Sequence, residues 1–433
     1  MTAPPLIRLF ALSTALSVLL GACAPVSTGS PQPSNAPSGS ASPNARGSPD
    51  PSADDATIYR QIAAQVQAIR GLDAASRVEP KVIDRTTLQK NLQVEFDKDN
   101  PAAEIVKGEA IEKALGLIPA DASLRDLYVK LQGSQVIGYY DPTAKQLFIV
   151  SHDGGLGPTE RLTCAHEFTH ELQDEHFNLD GLGLKGLHDD SDRALAILSL
   201  VEGDAVGVQA AWMAANLTPV ELGQVAAEAS DPAMLAILVS LPPILLETSL
   251  FPYQAGRTFV AGLQAQGGHA AVDAAFGRPP ASTEQILHPE KYAAGEGPVT
   301  IALPDDLAAR FGAGWTEYAR DTMGELQIRV WLKQGGISGE VSRTAADGWG
   351  GDRLILVRGP NASAVLVFES AWDTVGDAGA FRAAAVQAIA GLGLDGSVVG
   401  EGQRVVIGLR SGGAPAGATL EGILRGLVSP AAT

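Results

Sequence analysis

Only two cysteines occur in 433 residues, Cys23 and Cys164. A single pair cannot build a disulfide framework, and a four-thiolate structural zinc site is excluded on the same count. Positive charge is also scarce. Lys and Arg total 31 against 49 Asp and Glu, a formal net charge of -18, and the basic residues form no dense cluster. Nucleic-acid binding needs a basic face that neutralises phosphates, so that class is disfavoured. No phosphate-binding P-loop and no dinucleotide glycine fingerprint is present, and no motif surrounds a serine or cysteine nucleophile. Long uninterrupted apolar runs are missing too; the stretch 234–246 is broken by Pro242-Pro243. What remains is a chain that is 45% hydrophobic, enough for a sizeable core, and long enough for two or three domains.

The N-terminus reads as an export signal. Residues 1–22 carry one positive charge, Arg8, followed by the apolar run 9–20, the length of a signal-peptide core and short for a membrane span. The run ends in Leu20-Gly21-Ala22-Cys23, which resembles the lipobox of bacterial lipoproteins. That resemblance implies a lipidated Cys23 and a protein anchored to the outer face of a bacterial membrane. Residues 23–55 are almost entirely Pro, Ser, Gly, Ala and Asn. Such a segment buries too little apolar surface to offset ordering entropy and reads as a disordered tether.

From Ile58 the pattern is helical, with Ile58, Ile62, Val66 and Ile69 on one face. Helices are expected over 86–96, after Pro101, and over 124–131. At 136–140 and 146–150 the period changes to two short apolar runs about a turn at 141–145, which predicts a β-hairpin. Pro158 suits the first turn of a helix running through Phe177, and Asp190-Ser191-Asp192 caps another to about residue 215. Residues 219–292 read as helices with loops, and 315–334 as an amphipathic helix. In the tail, 354–357, 364–368 and 405–409 read as strands, and 381–389 and 420–427 as helices. The expected organisation is α+β: a helix-rich domain over 56–300, then a smaller α+β domain over 301–433.

The motif that carries chemistry is His166-Glu167-Phe168-Thr169-His170. Residues i and i+4 stand on one helix face, so both imidazoles reach one zinc ion. Glu167 lies between them, placed to take the proton of a water that the ion activates. The HExxH pattern, on a predicted helix that follows a β-hairpin, resembles the zincin superfamily of zinc metallopeptidases. Thr163, Cys164, Ala165, Phe168 and Thr169 fit the uncharged surroundings of that motif, and Glu171 departs from them. The resemblance covers about residues 136–205 and implies zinc as cofactor, a peptide or protein outside the cytoplasm as substrate, and hydrolysis with Glu167 as general base.

A catalytic zinc needs a third protein ligand and an open position. One candidate is Glu202, within Leu200-Val201-Glu202-Gly203-Asp204-Ala205, an apolar helical context where a buried carboxylate needs a partner. This stretch resembles the gluzincin pattern, in which a glutamate is the third ligand. Gly203 would admit close backbone approach, and Asp204 would orient a ligand histidine. The other candidate is His176, at metzincin spacing, but Gln173 stands where that pattern needs a turning glycine. If the helix continues, His176 lies about 15 Å along the axis from His166.

Ser282 and Gln285 form a capping-box pattern before His288-Pro289. His288, Tyr253 and Tyr292 are candidates to stabilise the developing oxyanion, as zincins often use a histidine or tyrosine there. The hairpin over 136–150 is a candidate edge for an extended peptide. Gly348-Trp349-Gly350-Gly351 reads as a turn packed on an aromatic ring. Two other readings stay open: a non-catalytic surface lipoprotein that keeps a zinc site and binds partners, and a zinc hydrolase of cell-wall amides.

Overall fold

The computed structural model describes residues 54–75, 80–135, 138–150 and 155–428. The expected signal segment, Cys23 and nearly all of the expected tether lie outside the described residues. The first helix, α1 (Asp55–Arg70), starts where the Asp54 side chain accepts the Thr57 N–H, and ends at Gly71 in the left-handed region. It buries Ile58, Ile62 and Val66, as their spacing predicts. Then come β1 (Lys81–Ile83), α2 (Arg85–Asp99), α3 (Ala102–Ala114), α4 (Leu124–Gln135), and the hairpin β2 (Gly138–Asp141) and β3 (Gln146–Val150). β1, not expected from the sequence, pairs parallel with β3 to give a three-stranded sheet ordered β1-β3-β2.

A helical block follows: α5 (Pro158–Phe177), α6 (Ser191–Asn216), α7 (Pro219–Ala229), α8 (Pro232–Val239), α9 (Pro243–Gly277), α10 (Thr283–Leu287) and α11 (Pro289–Ala294). α9 bends at Gly267–Gly268, where the backbone leaves helical geometry. α6 is long and apolar enough to cross a membrane, but most of it is buried inside the protein as a central core helix. At α10, Ser282 accepts the Gln285 N–H at 3.3 Å as the box predicts. The return bond differs: the Gln285 side chain accepts the Ala281 N–H at 2.7 Å instead of that of Ser282.

The tail holds β4 (Thr316–Asp321), α12 (Gly324–Gln334), α13 (Gly339–Ala346), β5 (Trp349–Arg358), β6 (Ala364–Trp372), α14 (Val375–Gly391), β7 (Asp395–Glu401), β8 (Arg404–Ser411) and α15 (Ala418–Val428). Its sheet is antiparallel throughout, in the order β4-β5-β6-β8-β7. The single helix expected over 315–334 is therefore a strand and a helix, separated by a turn at Gly324 with φ 70°. Helical apolar spacing begins only with the i, i+4 pairs Leu326–Val330 and Ile328–Leu332, and the preceding residues pair with β5. β7 carries no strand pattern in its sequence: Asp395–Glu401 holds only two apolar residues, at the sheet edge. Trp349 is fully buried and donates to Asp352 Oδ2 at 2.9 Å; the same carboxylate accepts the N–H of Met323 at Oδ1 and that of Gly324 at Oδ2.

The molecule is thus α+β. One face of the large sheet, through Leu354, Phe368 and Ile407, shares a continuous core with Trp331 of α12, Phe381 of α14, and Ile105 and Ile111 of α3. The other face, through Val357, Val365 and Val406, is covered by Leu420 and Leu424 of α15. The first core crosses the region expected to separate the two domains. Trp331 Nε1 also donates to Leu115 O at 3.0 Å, and Gln334 Nε2 to Gly116 O at 3.0 Å.

Candidate metal centre

α5 is buried from Thr159 to Asp174, all the way round its circumference. A helix with that burial lies inside the protein, and its polar side chains must find partners there. His166 and His170 stand one turn apart with rings edge to face, centroids 4.7 Å apart and Nε2 atoms 3.1 Å apart. α6 packs against α5 and turns Glu202 to the same point. Glu202 Oε2 lies 3.3 Å from His166 Nε2 and 3.5 Å from His170 Nε2, and all three residues are buried.

Those separations fit a metal. Tetrahedral ligands at the usual zinc distances lie about 3.3 Å from one another. The charge pattern fits as well. Neither Glu202 oxygen accepts a well-formed hydrogen bond among the described residues. Burial alone would raise the Glu202 carboxyl, yet the facing imidazoles hold it down at about 2. Burial likewise opposes a charged His170, and the Glu202 carboxylate outweighs it to lift that imidazole to about 9. Two imidazole nitrogens and a carboxylate converging in a dry interior require one cation among them, a proton or a metal ion.

The supporting groups explain why the donors aim correctly. Gln173 Nε2 donates to Val201 O at 3.0 Å and to Asp204 Oδ2 at 2.9 Å. That turns its Oε1 to His170 Nδ1 at 2.9 Å. His170 must then carry a proton on Nδ1, which makes Nε2 the atom able to coordinate a metal. Asp204 is held in turn by Arg70 Nε at 2.9 Å, and Arg70 Nη2 reaches Asp273 at 2.7 Å. Asp204 therefore acts on His170 through Gln173. The sequence signal for Gln173 is its position three residues after His170, on the same helix face. Arg70, far away in sequence, gave none.

Glu167 is fully buried and its Oε2 accepts the backbone N–H of Tyr140, on β2, at 2.9 Å. Glu171, the charge that departs from the zincin surroundings, is also fully buried, and Tyr59 donates its hydroxyl to it at 3.4 Å. His176 is not brought to this cluster. α5 runs unbroken through Phe177, and the exposed His176 has Nε2 2.8 Å from Asp73 O.

Of the three residues considered for oxyanion stabilisation, Tyr253 is the one at the cluster, its ring stacked on that of His166 with centroids 6.4 Å apart. Burial, with the charges of Glu202 and Glu167, pushes its hydroxyl well up, so it stays protonated. Tyr292 donates to Arg278 O at 2.9 Å. His288 belongs to a separate ionic cluster, with Nε2 3.1 Å from Glu325 and 3.6 Å from Asp347. There Arg329 already pairs with Glu325.

Two glycines set the height of Tyr253 over the cluster. A methyl group on Gly203 would stand 2.3 Å from Gly256 O, and one on Gly256 would stand 2.1 Å from Ser199 O. α6 and α9 therefore cross backbone to backbone, close to Glu202 and one turn from Tyr253. The close approach expected at Gly203 is made by α9.

A family model described as a domain of unknown function (DUF8575) matches residues 310–418, from just before β4 to the first residue of α15. No curated protein and no solved structure matches the chain. The matched stretch contains none of His166, Glu167, His170 and Glu202.

Proposed function

We propose that the protein is a zincin-type zinc peptidase, with His166, His170 and Glu202 as metal ligands and Glu167 as general base. The observation that carries this reading is the convergence of three buried donor atoms from two helices, 3.1 to 3.5 Å apart. Bound there, zinc would polarise a peptide carbonyl and lower the pKa of a water molecule. Glu167, held at Oε2 by the Tyr140 N–H, takes the proton of the attacking water and returns it to the leaving nitrogen. Tyr253 supplies a hydroxyl donor beside the same point for the oxygen that becomes negative. β2 is an edge strand next to Glu167, which supports an extended peptide as substrate. Export and anchoring through Cys23 belong to the same proposal.

The complete burial of the four residues favours a second reading, a metal held without turnover, since structural zinc sites are closed. Zinc content and general peptidase activity of the full chain, beside Glu167→Gln and Glu202→Ala, separate the two. One zinc per chain, activity lost in Glu167→Gln with metal retained, and metal lost in Glu202→Ala are the expected results. Zinc without turnover on a broad peptide panel would leave the second reading, and a parent protein without zinc would remove both.

A further inference from the structure

The apolar face of the five-stranded sheet is covered by helices over only part of its length. Across β5, β6 and β8 one row of neighbours is Leu354, Phe368 and Ile407, the next is Leu356, Leu366 and Leu409, and the next is Arg358, Ala364 and Ser411. The first two rows join the core that includes α12 and α14. At the third row the sheet meets α3 instead, and between them lies a cavity of about 430 Å³. Small residues leave it unfilled: Ala110 and Ala114 on α3 face Ala364 and Gly359 on the sheet side. The volume falls in the range of about 300–1,000 Å³ usual for small-molecule sites.

The charges on its wall do not cancel. Lys113, Arg358, Arg410 and Asp395 line it. Lys113 Nζ is 2.7 Å from Glu109, and Arg410 pairs with Asp395. Arg358 has no acidic partner among the described residues. Its guanidinium lies over the Tyr318 ring, 3.4 Å from the centroid, which fixes its plane and leaves its donor edge open. The site therefore carries one unbalanced positive charge above a floor of Leu356, Leu366 and Leu409. At its rim, Asn361 and Ala362 are consecutive non-glycine residues in the left-handed region, with φ 56° and 58°. A left-handed backbone strains a residue that carries a Cβ, above all Ala362, and such strain is typical of ligand clamps.

We propose that this cavity binds a monocarboxylate with an aliphatic body, the carboxylate on Arg358 and the body along Leu356, Leu366 and Leu409. A planar guanidinium matches a carboxylate in bidentate geometry. One uncompensated cation balances a monoanion, and a phosphate monoester would leave excess negative charge beside Asp395. An acyl carboxylate and the C-terminus of an apolar peptide share this chemistry.

Calorimetric titration of the full chain with decanoate, and separately with acetylated Ala-Leu-Leu bearing a free C-terminus, tests the proposal. At least one probe should saturate one site per chain, and decanol or the peptide amide should bind about tenfold more weakly or worse. Arg358→Gln, and Ala364→Trp, which plugs the cavity, should each weaken the bound probe at least about tenfold. Decanoate alone would identify an acyl carboxylate, and the peptide alone a chain terminus. The proposal is overturned if neither probe saturates below about 1 mM, or if the neutral analogue binds as tightly as the acid. It is also overturned if Arg358→Gln binds like the parent. Arg358 is exposed, so that variant should melt like the parent; if it does not, the comparison of acid with neutral analogue on the parent chain decides alone.

Discussion

At the residue scale, the aim of His170 depends on a side chain that touches no metal position itself. Gln173 accepts from His170 Nδ1 while its amide is pinned by Val201 O and by Asp204, and Asp204 is pinned by Arg70. Removing such a support typically lowers metal affinity about 10–100-fold without removing a ligand. Gln173→Ala is therefore expected to bind zinc about 10–100-fold more weakly while keeping its helical circular dichroism. Competition with a chromogenic chelator measures this, and parental affinity in the variant would show that the relay to Arg70 is idle. This layer was only partly legible beforehand. The shared face of His166 and His170 follows from local helix geometry, whereas the partners of Gln173 come from α6 and the arginine that holds Asp204 comes from α1, which no local pattern brings together.

At the element scale, the decisive contact is the crossing of α6 and α9. Gly203 and Gly256 allow the two backbones to touch, and either added methyl would fall within 2.3 Å of a carbonyl oxygen. Backbone cannot step aside as a flexible side chain does. Gly256→Ala is expected to destabilise the protein by about 3 kcal/mol or more and to move α9, with Tyr253, off the cluster. Urea denaturation checks the first effect; an undiminished midpoint would mean that the crossing yields easily. At the same scale, sheet assembly overrides one local pattern. Residues 315–334 look like one amphipathic helix in isolation, but Thr316–Asp321 gains ladder hydrogen bonds from β5 that only the assembled sheet offers.

At the scale of the whole molecule, the junction between the helical block and the large sheet gathers acids, Glu112 and Asp321 half-buried and Asp352 buried. Glu112 on α3, whose Oε2 is sealed and meets no donor among the described residues, is raised by burial and by the charge of Asp321 to about 8. Burial raises Asp321 to about 7, against donors from Ser191 and Thr322, and Asp352 to about 6, against Met323, Gly324 and Trp349. These are acids whose folded-state values exceed the unfolded ones. Between about pH 4 and pH 8 the folded chain thus holds more protons than the unfolded chain, and stability falls as pH rises through that window. Each group contributes a slope of at most about 1.4 kcal/mol per pH unit. The urea midpoint is expected to be higher at pH 5.5 than at pH 8.5, with Glu112→Gln flattening the difference. A parent profile that rises or stays level across this range would contradict the assignment.

The sequence by itself determined what depends on neighbours within a few turns of chain. It set the i and i+4 placement of His166 and His170, the helix that carries them, the hairpin before it, and an acid at 202 set among apolar residues. Tertiary structure alone decided the rest. It chose Glu202 over His176 as the group facing both imidazoles, because α5 continues straight and α6 folds back against it. It joined Arg70, Asp204 and Gln173 behind His170, and it left an unbalanced Arg358 over an unfilled stretch of sheet. Those outcomes depend on surfaces that meet across 31 residues, for Gln173 and Asp204, or 134, for Arg70 and Asp204, and burial, not local periodicity, selects them.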